Sequence, residues 1–324
     1  MANAYTATTD MNTIPVYYNK SFIERLIPQI TMRAYCQAEP LPANSGKVIY
    51  FPKISNSSTT VSAYKGTEGT VVSTEKVVDT QISATIETYR NAKAIWDIAK
   101  LTALNGYIDE AVSEQADQAS IIIDKRILQS AYGTSATPLG AGFSVQFADW
   151  STGSDYSEAS AIGALTGTSR TITTAMIRKW VKILRGRNVK PLEDNLYALI
   201  VHSDTEMAVQ ADTTWQNAYF YTDPENPLSG IFGKYGGCKM IRDNNIYTSA
   251  NGSSGATLYY NVLLGKGALA ITELDGGIKT FMKESGPQDT SNPANEFITF
   301  SWKVFFVPKI LNVSSGLICV TADQ

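Results

Sequence analysis

Along residues 81–96, QISATIETYRNAKAIW, apolar and polar residues alternate with a period of two. Ile82, Ala84 and Ile86 fall on one side, and Ser83, Thr85 and Glu87 on the other. That period places one face against a core and the other toward water. An earlier stretch, KVIYFPKI at 47–54, also reads as a strand. Between them runs a polar segment at 55–80, rich in Ser, Thr, Gly and charge, with Gly66 and Gly69 permitting a turn around Thr67 and Glu68. The pattern predicts an extended two-stranded arm over 46–96, in which a hairpin at 55–80 has legs of about 40 Å at ~3.3 Å per residue. A two-stranded arm is marginal alone in water. It is expected to rest on something else, and another copy of the chain is the leading choice.

A helical period takes over at 107–132. Ile108, Val112, Ala116, Ala119, Ile122, Ile123 and Ile127 form an apolar stripe. Acidic Asp109, Glu110 and Glu114 lie near its start, where the helix dipole favours anions. Gly133 stands where a left-handed C-terminal cap is expected. This helix would be roughly 40 Å long, a spine for the molecule. A second helix is predicted at 173–187, with Met176, Ile177, Trp180, Val181, Ile183 and Leu184 on its core face. LYALIVH at 196–202 reads as a strand leading into a short helix at 203–212, capped by Ser203 or Asp204. Further strands are expected in CKMIRDNNIY, TLYYNVLL, GIKTFMK, FITFSWKVFFV (ending at Pro308) and GLICVTA. Residues 1–45 carry prolines at 15, 28, 40 and 42 and read as an arm, with one short amphipathic piece, SFIERLI. The Gly/Ser/Thr-rich 133–170 reads as an irregular insertion. Strands and helices mix without βαβ alternation, so the expected class is α+β.

Composition narrows the function classes. The 324 residues are 44% hydrophobic and 18% charged, which supports a packed core and excludes a disordered chain. A net charge of −3 gives no global field for nucleic acid. Cys36, Cys238 and Cys319 are scattered and form no CxxC pair, so reduced, buried thiols are expected, as in a reducing cytoplasm. The N-terminal residues lack the pattern of a signal peptide, and no run approaches a membrane span. The sequons at Asn56, Asn251 and Asn312 carry no weight without a secretion signal.

The search for chemistry yields little. His202 is the one histidine. It stands beside Ser203 and Asp204, but neighbours at a strand-to-helix junction rarely face one another as a catalytic triad requires, and no G-x-S-x-G elbow follows a strand. KGTEGT and LLGKGALA lack phosphate-loop spacing. No catalytic, metal or cofactor site is expected. Arg178, Lys179, Lys182 and Arg185, continued by Arg187 and Lys190, form a basic helix face. A solvated amphipathic face is the ordinary reading. The functional one is electrostatic contact with phosphates or with acidic groups of a neighbouring copy.

The order of elements resembles the tailed-phage major capsid proteins of the Hong Kong ninety-seven fold, and local phrases resemble their N-four-like branch. GKVIYFPKI at 46–54 is similar to the strand entering the extended loop, and YKGTEGTVV at 64–72 to its tip. QADQASIIIDKRILQSAYG at 115–133 is similar to the spine helix. VHSDTEMAVQAD at 201–212, PLSGIFGKYGGCKMIRDNNI at 227–246 and VLLGKGAL at 262–269 follow in the family's order. The resemblance covers most of the chain.

It implies a non-enzymatic coat subunit forming hexamers and pentamers of an icosahedral shell around double-stranded DNA. A virion location, assembly in the host bacterial cytoplasm, a separate scaffolding protein, a portal and weak non-specific DNA contact go with it. No membrane and no cofactor are implied. The implied parts are an N-terminal arm at 1–45, an extended loop at 46–96 and a peripheral domain with the spine helix at 97–190. An axial domain at 191–290 and return strands of the peripheral domain at 291–324 complete it. Tyr64, Lys65, Thr67 and Glu68 at the loop tip are the expected contacts with a neighbour, with no crosslink assigned to Lys65. Other readings are an encapsulin-type shell, a soluble α+β hydrolase using His202, and a tail or baseplate component.

Overall fold

The computed structural model describes residues 31–42, 44, 46–54, 64–66, 68–69, 71, 74, 76–102, 107–133, 142–147, 171–192, 195–215, 231–250, 256–274, 278–283 and 296–322. The expected helix SFIERLI, most of the 133–170 segment and the tip residue Thr67 lie outside this set.

After a 3-10 turn at Met32–Tyr35 come β1 (Gln37–Ala38), β2 (Val48–Ile54), β3 (Asp79–Thr85) and β4 (Glu87–Trp96). Helices α1 (Asp97–Thr102) and α2 (Tyr107–Tyr132) follow, then β5 (Ser144–Phe147), α3 (Thr174–Gly186), β6 (Tyr197–Val201) and α4 (Ser203–Ala211). The remaining strands are β7 (Ile231–Tyr235), β8 (Cys238–Arg242), β9 (Thr248–Ser249), β10 (Leu258–Leu264), β11 (Leu269–Glu273), β12 (Lys279–Lys283), β13 (Phe297–Ile310) and β14 (Gly316–Ala322).

Among the described residues these strands form three sheets. One has the order β5-β14-β10-β6-β8-β7, with β9 also on β10. Its central strands, YALIV, LYYNVLL and GLICVTA, are buried at every position. Such unbroken apolar runs are what a sheet covered on both faces requires. Ala198, Ile200, Tyr260, Val262, Ile318 and Val320 face α2 and its neighbours. Tyr197, Leu199, Leu263, Leu317 and Cys319 face α3. Helix α3 begins where the Thr173 side chain accepts from the Met176 amide, and its Met176, Ile177, Trp180, Val181 and Leu184 are buried as the period predicts.

The second sheet runs β1-β11-β13-β12, with β4 along the other side of β13. One face is covered along its length, and the other where Ala270 and Val307 lie. On the first face Ile298, Phe300, Trp302, Val304 and Phe306 alternate inward, and the residues between them are half-buried. Helix α2 packs on this face, and its Ile127 and Leu128 belong to the core that also includes β6, β10 and β14. One helix thus supplies apolar surface to both sheets, the spine that its length suggests. Ala119, Ile123 and Ile127 are buried and Ile122 is half-buried. The side chains of Ile108, Val112 and Ala116 lie outside the described set. Gly133 ends the helix at φ 101°, a conformation that favours glycine.

Four sequence expectations change. The return stretch is not one strand. Ile86 divides it into β3, paired with β2, and β4, paired with β13 from Trp96↔Phe297 to Glu87↔Phe306. Strand β13 does not stop at Pro308. The Leu274 amide donates to Phe305 and the Leu311 amide to Ala268. Antiparallel alternation then makes Ile271↔Pro308 a non-hydrogen-bonded pair. The proline nitrogen faces the side that β4 has already left, so its missing N–H breaks no ladder bond. The segment 133–170 is not wholly irregular, since β5 pairs in parallel with β14. Finally, sheet membership crosses the expected borders. The C-terminal β14 pairs with β10, and β11 and β12 pair with β13.

Candidate assembly surfaces

The β2–β3 hairpin is held in register from Val48↔Thr85 to Ile54↔Asp79. Its inner face carries Ile49 and Phe51 opposite Ala84 and Ile82. Phe51, Ala84 and Ile86 are buried against Ala270 of β11 and Val307 of β13, with Leu41, Leu274, Phe305 and Leu311 around them. The base of the arm therefore rests on its own subunit, a correction to the expectation that another copy supplies its support. The reason is the break at Ile86, which turns β3 away from β13 while leaving the Ile86 side chain in the body's core.

The break is fixed by a polar cluster. Arg126 of α2 donates from Nε to the Tyr89 hydroxyl at 2.6 Å and from Nη2 to Glu87 Oε2 at 3.0 Å. The Tyr89 hydroxyl also donates to Glu87. The Tyr89 bond, with Arg126 beside it, holds the Glu87 carboxyl below its usual range despite some burial. These contacts tie the first residues of β4 to the spine helix at the root of the arm.

The outer face of the hairpin mixes apolar side chains of β2 with polar Thr85 and Ser83 across from them. Val48 and Tyr50 are exposed, Tyr50 at 60%. Val77 and Val78, entering β3, and Val71 and Tyr64 farther out are exposed as well. Among the described residues, these six account for half of the twelve exposed large apolar side chains. Surface concentration of this kind marks a contact site. The alternation in KVIYFPKI carried the signal, because it puts apolar residues on both faces of one strand, and it was not read from the sequence. At the tip, Tyr64, Lys65 and Glu68 are exposed, and Thr67 falls outside the described residues.

The basic helix face divides in two. Arg178 lies over the Tyr235 ring at 5.2 Å and donates to its hydroxyl. Arg185 lies where a side chain on Gly237 would point. Both arginines thus border the β7–β8 hairpin, whose turn uses Gly236 and Gly237 at φ 61° and 94°. Lys179 is half-buried, and Lys182 is exposed. Arg187 donates to Ser144 at 2.9 Å. Arg178, Lys182 and Arg185 are all exposed, and the two arginines also border the β7–β8 hairpin.

His202 is also occupied structurally. It is the N-cap of α4, accepting at Nδ1 from the Asp204 amide at 3.3 Å, in place of the expected Ser203 or Asp204. Its ring stacks on Tyr259 at 4.7 Å, and Tyr259 donates to Asp204 Oδ2 at 2.6 Å. The Nδ1 lone pair that a general base would use already receives a backbone proton. Among the described residues no group of three or more His, Cys, Asp or Glu side chains is placed to hold a metal ion, and no helix is long and apolar enough to cross a membrane.

No protein-family model and no curated protein matches the chain. Solved structures do. The capsid of cyanophage Pam1 matches at a TM-score of 0.69 with 12% identity, over 100% of this chain and 99% of that one. The capsid of cyanophage P-SCSP1u matches at 0.65 with 14% identity, over 98% and 96%. An encapsulin complex of Synechococcus elongatus matches at 0.58 with 9% identity, over 99% and 93%. The α+β fold is therefore that of the tailed-phage capsid proteins, the Hong Kong ninety-seven type.

Proposed function

We propose that this chain is the major capsid subunit of a tailed phage, of the N-four-like branch. Copies would tile hexamers and pentamers of an icosahedral head around double-stranded DNA. The observation that carries the reading is the end-to-end likeness to phage capsid subunits, over whole chains on both sides. The arm supports it, with one apolar face on its own body and the other exposed. A closed shell needs contacts that repeat around rings and close. Each can be modest, because repetition multiplies it.

In this proposal the extended loop at 46–96 lies over a neighbour, with Tyr64, Lys65, Thr67 and Glu68 at its tip. The arm at 1–45, the peripheral parts at 97–190 and 291–324 and the axial part at 191–290 keep their sequence borders. Sheet membership crosses these borders, since β5 and β14 of the peripheral ranges join the sheet of β6, β8 and β10, and β11 and β12 pair with β13. A separate scaffolding protein and a portal are the further partners, and DNA is touched weakly. The subunit catalyses nothing, assembles in the bacterial cytoplasm and ends in the virion. The encapsulin likeness favours a second reading, a nanocompartment shell. The two differ in content, since a phage head encloses nucleic acid and a nanocompartment a protein cargo.

Expression of the chain with its genomic neighbours, followed by electron microscopy, is expected to show shells or capsomers. Deleting residues 55–80 is expected to leave a folded, soluble subunit that forms none. A strictly monomeric full-length protein under these conditions would sink the proposal. Complete unfolding of the deletion variant would place the distal arm in the subunit's own core.

A further inference from the structure

Two carboxyl groups are buried together where the N-terminal segment meets the body. Asp124 of α2 is 0% exposed, and Asp243, just past β8, is 4% exposed. Asp124 Oδ1 accepts from the Met32 amide at 2.9 Å, and its Oδ2 accepts from Asn245 Nδ2 at 3.2 Å. Asp243 Oδ1 accepts from the Asn245 amide at 2.9 Å. Its Oδ2 is buried and receives no donor among the described residues. No ion pair of the described residues reaches either group. Arg33 is turned to Glu273, and Arg242 to Glu206.

Two carboxylates side by side in the interior, without a cation, repel one another and lack solvation. A single proton on Asp243 eases both problems and gives its buried Oδ2 a hydrogen to donate. Burial first, then the hydrogen bond and charge of Asp124, push Asp243 up to about 8, against the opposing pull of the Asn245 bonds. The other titratable groups facing the pair stay neutral in this range. Burial beside Asp124 raises the Cys36 thiol to about 12, and burial raises the Tyr132 phenol further still.

We propose that one proton shared by Asp124 and Asp243 latches the Met32–Tyr35 turn onto the spine helix, and that its loss releases this segment. The turn is the element that can yield. Asp124 sits mid-helix and Asp243 follows a strand paired on both sides, β6 and β7. The turn is held by the buried Met32 side chain, the Met32 amide on Asp124, the Cys36 thiol donating to the Met32 carbonyl at 3.4 Å, and the partly exposed Arg33–Glu273 pair. Lifting it admits water to Asp124 at the least cost in packing. The sign follows from the raised value. The native state holds a proton that the unfolded chain gives up near 3.8. The stabilisation is therefore full below that value and is lost as the pH rises through about 8. The latch is closed in acid and opens in base.

The test is hydrogen exchange of the full-length, unassembled subunit, read by mass spectrometry on peptides covering 32–38 and corrected for intrinsic exchange. It does not depend on the capsid reading, because no assembly is involved. Between about pH 6 and about pH 9, protection is expected to fall about a hundredfold, tenfold for each pH unit below about 8 over which only the closed state keeps the proton. Asp243→Asn, whose amide donates at every pH, is expected to abolish the fall. Asp124→Asn serves the same purpose should the first variant not fold. Equal protection at both pH values in the unaltered chain overturns the proposal, as does an undiminished fall in the variants. Loss of protection on adding EDTA at about pH 6 also overturns it, by showing a metal ion in the proton's place.

Discussion

At the residue scale, burial decides which chemical groups are available. Cys238 and Cys319 are 0% exposed, and burial raises Cys238 to about 12 and Cys319 well above its ordinary value. Cys36 is raised to about 12 as well. A thiol reagent at about pH 8 is expected to label neither Cys238 nor Cys319 quickly in the folded subunit, and both once denaturant is added. Rapid labelling of Cys238 or Cys319 in the native state would contradict the packing of the covered sheet. Core size is legible at this scale too. Ile127 is fully buried between the two sheets, so Ile127→Ala is expected to cost about 3 kcal/mol in chemical denaturation. Leu101, 82% exposed on α1, is expected to change stability by less than about 0.5 kcal/mol on the same substitution. His202 shows the limit of residue-level reading. Its neighbours in sequence suggested a triad or a bystander, and the ring turned out to cap a helix.

At the element scale, periodicity was a good guide to what forms and a poor one to what it pairs with. Helices α2 and α3 lie where the 3.6-residue period placed them, because an apolar stripe has one way to be buried. The Thr173 cap and the Gly133 stop are local signals with local causes. The break at Ile86 leaves only a change of phase, from Ile82, Ala84 and Ile86 inward before it to Tyr89 and Ile95 inward after it, which does not tell what each half pairs with. Only the competition between β2 and β13 for the two halves of the stretch decides it. Pro308 misled for the same reason. A proline ends a strand flanked on both sides, and this one has a neighbour on one side alone. On the basic face, the helix period placed the charges outward, and Arg178 and Arg185 are exposed while also bordering the β7–β8 hairpin. Charge reversal at Lys182 is the discriminating variant. If this face contacts a neighbouring copy or DNA, Lys182→Glu is expected to weaken assembly or packaging at low salt and to lower its salt sensitivity, while leaving the subunit's melting temperature unchanged. An unchanged salt profile, read by sedimentation, would return the face to plain solvation.

For the whole molecule, the arm is the feature that joins fold to function. Its inner face belongs to the subunit and its outer face to whatever lies beyond. A chain that builds so exposed an apolar surface on a long lever incurs a solubility cost unless a partner covers it. In a shell, the next copy does so. The candidate assembly surface was therefore half visible beforehand. The position of the arm, its polar tip and its dependence on support could be read from alternation and glycine placement. The Val48, Tyr50, Val77 and Val78 stripe could not, because which face of a strand is spare depends on which face the body takes.

The sequence alone determined the α+β class, the spine helix, the helices and most strands, and the order of parts that resembles a phage coat subunit. Each follows from periods and caps acting over a few neighbouring residues. The tertiary structure alone decided how the strands were shared between sheets, the anchoring of the arm by Phe51, Ala84 and Ile86, and the meeting of Asp124 with Asp243. Those depend on contacts between residues distant in sequence, as between Phe51 and Val307, where burial and shape outweigh any local preference.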